Sequence, residues 1–108
     1  MYVISHSVLT MNDPNTLILS SLAHGDKHGY AIMEDVEQFA GVKLGPGTLY
    51  GAIARLEASG WIRPLAGEAR RRPYGLTAEG AAELGRQMEA MERVAKVGLR
   101  RLRARRAV

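Results

Sequence analysis

The sequence predicts a mainly α-helical fold with one small β-hairpin, continued by a long C-terminal helix. Three observations carry that expectation. Three apolar stretches with helical spacing follow one another between residues 14 and 58, each closed by a glycine-containing turn. Two short apolar-aromatic runs then flank a glycine turn near residue 67. From Thr77 onward no proline interrupts a helical pattern that runs almost to the last residue. With 108 residues, 46% of them hydrophobic and 24% charged, the chain is long enough for one domain with a modest core.

Residues 1–12 include Tyr2, Val3, Ile4, Val8 and Leu9, too apolar for a free tail. They read as an arm that packs on a partner subunit, with disorder as the alternative. Asn12-Asp13-Pro14 combines a capping side chain with a proline at the first helical position. The first helix spans about Pro14 to Ala23, and Leu17, Ile18, Leu19 and Leu22 make it apolar on more than one side, so it should lie centrally. His24-Gly25-Asp26 turns the chain. The second helix covers about Gly29 to Ala40, with Tyr30, Ile32, Met33, Val36 and Phe39 as buried candidates and Glu34, Asp35, Glu37 and Gln38 on a solvated face.

Val42-Lys43-Leu44 leads into a third helix that starts at Gly45-Pro46 and stops at Ser59-Gly60. Leu49, Ile53 and Leu56 form its apolar face. The opposite face is nearly bare: Gly47, Gly51, Ala54 and Ala58, with Thr48, Tyr50 and Arg55 at its edges. A bare face with a few polar tips can approach another molecule closely, and a DNA major groove admits one helix. Burial on both sides inside a larger core is the competing reading. Two helices, a turn and a third helix of this kind are the ingredients of a helix-turn-helix.

Trp61 to Leu65 and Arg70 to Leu76 read as a hairpin around Ala66-Gly67-Glu68-Ala69. Pro64 and Pro73 confine those strands to edges or ends. A basic hairpin directly after a recognition-type helix is a wing, and Arg70, Arg71 and Arg72 are placed to meet phosphates or a minor groove. Lys43 joins them as a candidate DNA contact, with Arg55 more suited to backbone than to bases. The expected fold class is therefore a winged helix-turn-helix over residues 13–76.

Thr77 caps the last helix, which occupies residues 77–108 with a basic tail. Run to about Arg105, it would be on the order of 40 Å long. Leu84, Met88, Met91, Ala95, Gly98 and Leu102 recur in alternating steps of four and three, a coiled-coil seam. So long a helix cannot bury that seam on so small a domain, so the expectation is a homodimer.

Charge is unevenly distributed. Residues 1–69 hold four Lys/Arg and seven Asp/Glu, net −3, whereas residues 70–108 hold eleven and four, net +7. A basic half suits a polyanionic partner. Cysteine is absent, which excludes a disulfide framework and a thiolate metal site and fits a reducing cytoplasm. No apolar run reaches membrane-spanning length. His24 and His28 are separated by a turn, and neither a catalytic constellation nor a glycine-rich phosphate loop is present. These readings point away from an enzyme and call for no cofactor or metal. The alternatives carried are a winged-helix protein-interaction module without DNA binding, and peripheral membrane binding through the arginine tail.

The ordered set His28-Gly29-Tyr30-Ala31-Ile32, Gly47-Thr48-Leu49-Tyr50, Arg55-Leu56-Glu57, Gly60-Trp61-Ile62 and Arg72-Pro73-Tyr74-Gly75-Leu76-Thr77-Ala78-Glu79-Gly80 resembles the PadR family of bacterial transcriptional regulators, over about residues 14–84. The resemblance implies a cytoplasmic, homodimeric DNA-binding regulator, usually a repressor released by a small-molecule effector or stress signal. Its partner would be double-stranded DNA with a near-palindromic operator. It implies that Thr48 and Tyr50 face DNA, that Leu49 and Leu56 lie in the core, and that Tyr74 anchors the wing. Gly51 departs from the proline common at that place, and the chain resembles the subgroup with one short C-terminal helix. No aromatic residue follows Tyr74, which argues against an aromatic drug site built from the last helix.

Overall fold

The computed structural model describes residues 13–68 and 71–107. The expected arm (residues 1–12) and Arg70 lie outside them. Among the described residues four helices and three strands follow in the order α1 (Pro14–Ala23), β1 (Lys27–His28), α2 (Gly29–Ala40), α3 (Pro46–Ala58), β2 (Ile62–Pro64), β3 (Pro73–Leu76) and α4 (Ala78–Ala107).

Helix α1 begins where Asp13 Oδ1 accepts the Asn15 amide at 2.9 Å, with Pro14 filling a position whose amide would be unpaired. It lies at the centre: Leu17, Ile18, Leu19 and Leu22 are buried, as are Thr16 and Ser21. The two polar residues are satisfied by neighbouring elements. Ser21 Oγ donates to Asp35 Oδ2 at 2.7 Å on α2, and Thr16 Oγ1 donates to Gln87 Oε1 at 2.7 Å on α4. Lys27 Nζ donates to the Ser21 carbonyl and stands 4.0 Å from Asp35, so one polar cluster joins α1, β1 and α2.

Helix α2 contributes Ile32 and Val36 to the core, and Gly41, with φ of 68°, takes the left-handed conformation that stops it. Two aromatic residues expected inside are outside. Tyr30 is 63% exposed and flanks an open groove of about 450 Å³ with Met33, Leu44 and Pro46. Phe39 is 51% exposed in the last turn, past the stretch where Ile32 and Val36 meet the core.

Helix α3 buries Leu49, Ala52, Ile53 and Leu56. It ends in a Schellman motif: the Gly60 amide donates to the Glu57 carbonyl and the Trp61 amide to the Leu56 carbonyl, both at 3.0 Å. Gly60, with φ of 79°, makes that turn possible.

The sheet is antiparallel in the order β1-β3-β2. Register pairs Ile62 with Leu76, Arg63 with Gly75 and Pro64 with Tyr74, while Lys27 faces Tyr74 and His28 faces Pro73. The expected peripheral two-stranded hairpin is thus three-stranded, and β3 is its central strand. Pro73 fits because it is the first residue of β3, and Pro64 because it is the last of β2.

Helix α4 is rooted in the body and then leaves it. Gly80 donates to Thr77 Oγ1 at 3.0 Å, and the same hydroxyl donates to the Gly60 carbonyl at 2.6 Å. The Thr77 amide donates to the Trp61 carbonyl at 3.1 Å. That carbonyl occupies the place where a Cβ on Gly80 would stand. Leu84, expected on the dimer seam, packs instead into the core of its own domain at 9% exposure, because it lies only one turn beyond Gly80. Beyond Gln87 the helix projects, its 30 residues spanning about 45 Å in a molecule 60 × 27 × 26 Å.

Gly80→Ala is expected to lower stability by about 3 kcal/mol, since the obstacle is backbone and cannot rotate away. Gly85→Ala, in the same helix with open space around it, should raise stability by about 0.5–1 kcal/mol. Urea unfolding of both variants checks the contrast.

Candidate nucleic-acid interface

Among the described helices each except α3 has a side-chain cap: Asp13 on α1, His28 Nδ1 accepting the Ala31 amide at 3.3 Å on α2, and Thr77 on α4. The N-cap of α3 is Gly45, which has no side chain to offer. The Leu49 amide is taken by the Gly45 carbonyl at 2.9 Å, and Pro46 has no amide. The amides of Gly47 and Thr48 therefore belong to an uncapped first turn carrying the positive end of the helix dipole. Both residues are exposed, as are Ala54, Arg55 and Ala58. The bare face inferred from the sequence is a solvent face, and the doubly buried alternative does not hold.

Gly51 is half-buried within a regular helix. The Arg55 guanidinium lies back along the helix, 3.7 Å from where a Gly51 Cβ would be, which is ordinary contact distance. Lys43 is 83% exposed in the loop before α3 and sits 3.9 Å from Glu37, a surface pair of small energetic weight. Tyr50 has a role beyond the expected one. It is 46% exposed, yet its hydroxyl end packs on Gly29 at the start of α2.

Arg71 and Arg72 are exposed between β2 and β3. Their loop folds back tightly, with the Leu65 amide donating to the Pro73 carbonyl at 2.8 Å and the Arg71 amide to the Glu68 carbonyl at 2.9 Å. A Cβ on Gly67 would come within 3.0 Å of Pro73 Cδ and 3.1 Å of Arg72 Cα. Arg63, absent from the sequence-based assignment, is exposed on β2 and adds a cation to the same small sheet. Its signal was a single arginine in a short apolar run, indistinguishable from an ordinary surface residue.

Tyr74 lies in the central strand, half-buried. Burial raises its phenol above the ordinary value of 10.0, Glu57 and Tyr50 add to the rise, and Arg72 opposes it. At the root of α4, Gln87 and Arg86 donate to the Glu83 carboxylate and lower its pKa, while partial burial pulls the other way.

The candidate dimer residues occupy one long face of α4. Met88 is 38% exposed, Leu102 is 47% exposed, Met91 is half-buried, and Ala95 and Gly98 are exposed. Val94 at 73% and Leu99 at 52% extend the apolar surface beyond the expected seam. Among the described residues no group of three or more His, Asp or Glu could hold a metal ion, and no helix is long and apolar enough to cross a membrane.

Comparison with known proteins places the fold. Residues 18–86 match the transcriptional regulator PadR-like family. Over 83 residues the chain is 49% identical to an uncharacterized 37.1 kDa protein in transposon TN4556 of Streptomyces fradiae, covering 77% of this chain and 24% of that protein. It is 35% identical over 83 residues to transcriptional regulator Rv3488 of Mycobacterium tuberculosis, covering 73% of this chain and 76% of the relative. The chain thus spans about a quarter of the first relative and three quarters of the second. A transcriptional regulator from Clostridium thermocellum superposes with a TM-score of 0.71 at 35% identity, covering 84% of this chain and 91% of the other.

The raised Tyr74 pKa has a consequence for stability. The unfolded chain loses its phenol proton at lower pH than the folded chain, so the contribution is intact below pH 10.0 and falls as pH rises through the folded value. Thermal melts from pH 9 to 11 should show a steeper decline for the wild type than for Tyr74→Phe.

Proposed function

The chain belongs to the PadR-like family of transcriptional regulators, which are not enzymes, and from that premise we propose that it is a homodimeric, sequence-specific DNA-binding repressor of the cytoplasm. The observation that carries this reading is the exposed and uncapped first turn of α3, with Gly47 and Thr48 on it, in a domain whose wing exposes Arg71 and Arg72. Free helix amides and the dipole attract a phosphate, and small residues let the backbone approach it. Thr48 offers a polar tip to base edges in a major groove, and the exposed part of the Tyr50 ring offers an apolar surface beside it. The wing arginines and Arg63 supply backbone contacts, with Arg70 assigned to the same role from its place in the sequence.

Dimerisation through α4 is supported by the apolar surface left on it by Met88, Val94, Leu99 and Leu102. Two-fold symmetry then requires a near-palindromic operator with half-sites about one helical turn apart. Repression and its release by a ligand or stress signal complete the reading.

Gel shifts with promoter fragments from the protein's own locus test it. Wild-type affinity should fall steeply between 50 and 200 mM salt. Arg71→Ala should weaken all sequences alike and reduce the salt slope by about one, whereas Thr48→Ala should change the sequence preference. Absence of a shift at low salt would falsify the assignment. Light scattering at micromolar concentration should give roughly twice 11.8 kDa, and a species of 11.8 kDa alone removes the two-fold argument.

A further inference from the structure

One contact between α2 and α3 lies outside the shared core. Ile32, Val36, Leu49 and Ile53 hold the inner sides of the two helices. On the outer side Tyr50 reaches from α3 to Gly29, the first residue of α2. A Cβ on Gly29 would overlap the Tyr50 hydroxyl oxygen and stand 2.9 Å from Cζ and 3.1 Å from Cε1, all closer than ordinary contact. The ring therefore sits in a notch that only glycine leaves. Gly29 is not there for its backbone, since its φ is not positive and alanine could adopt it.

The notch is next to the wing. His28 precedes Gly29, pairs with Pro73 in β3 and caps α2. Tyr74 follows Pro73 and senses the Tyr50 phenol electrostatically. One residue of α3 thus bears on the start of α2 and lies near the central strand of the wing. The N-terminal half of α3 has Gly47 and Gly51 and no side-chain cap, so it has few other restraints on its outer side.

We propose that Tyr50, seated in the Gly29 notch, is a strut that fixes the reading face of α3 relative to the wing, and that Gly29 is a specificity-positioning residue that touches no DNA. The inference rests on the DNA-reading assignment above. An added methyl at Gly29 meets the far end of a flexible side chain, so it displaces Tyr50 and leaves the backbone and core in place. Recognition of bases depends on that placement, and attraction to phosphates does not.

The test compares operator and non-operator duplexes for wild type, Gly29→Ala, Tyr50→Ala and the double variant, with melting curves for each. Gly29→Ala should keep its melting temperature, lose about tenfold in operator affinity and keep its non-operator affinity. In the Tyr50→Ala background the same glycine substitution should cost little further, because no ring is left for the added methyl to displace. An unchanged operator to non-operator ratio in Gly29→Ala overturns the proposal, as does an equal loss in both backgrounds. A wild type that prefers no DNA overturns the reading beneath it. Independently of DNA, the ¹⁹F resonance of 3-fluorotyrosine at position 50 should shift in Gly29→Ala, and a resonance that stays in place removes the strut.

Discussion

The close approach of Gly80 to the Trp61 carbonyl is the constraint on which the rest of the architecture depends. Three elements meet there. The Schellman stop of α3 delivers the Trp61 carbonyl to one point, β2 departs from that point, and Thr77 both hydrogen-bonds to it and begins α4. A side chain at residue 80 would push the helix outward and pull Leu84 from the core. The hydrogen bond from Thr16 to Gln87, two turns along, would be lost with it. The direction of α4 is therefore set by backbone packing within its first turn, not by its exposed length.

That corner divides the labour along α3. Its C-terminal end is locked by hydrogen bonds and buried Leu56, while its N-terminal end is exposed and uncapped. A helix fixed at one end and open at the other presents amides and small residues outward without loosening the fold. Charge follows the same division. On α2 Asp35 turns inward to Ser21 and Lys27 while Glu34 and Glu37 stay exposed, whereas the arginines gather on the wing and on α4.

Much of this was legible in the sequence, because the helices are bounded by local chemistry. Asp13-Pro14, Gly41, Pro46, Ser59-Gly60 and Thr77 mark termini by capping or by backbone preference, and each acts within a few residues of itself. What escaped was non-local. A two-residue β1 has no periodicity, and it exists only because β3 offers a free side. Spacing showed which face of α2 turns inward but not where the core runs out, so Tyr30 and Phe39 were assigned to the inside. The seam on α4 could not separate Leu84, which its own domain buries, from Met88 onward. At the candidate site Gly47, Thr48, Arg71 and Arg72 were readable as exposed polar or small positions after a helix start. The contact of Tyr50 with Gly29 was not, since the two residues are 21 positions apart and neither hints at the other.

The outer part of α4 poses an energetic question. Past Gln87 the helix has almost no intramolecular packing among the described residues, and most helical stability in proteins comes from the packing of an apolar face. Its local support is modest. Good helix formers such as Ala, Leu, Arg and Glu fill it, Lys96 pairs with Glu92 at 3.6 Å, and Arg105 and Arg106 complement the dipole at its end. Pairs of that kind contribute only about 0.2–0.5 kcal/mol each. Burying Met88, Val94, Leu99 and Leu102 against a second chain would contribute several times more, at roughly 1.5–3 kcal/mol for a fully buried large apolar side chain. The helix is thus held in direction by its root, and most of the stabilisation open to its outer length lies in an apolar face that this chain alone leaves in water.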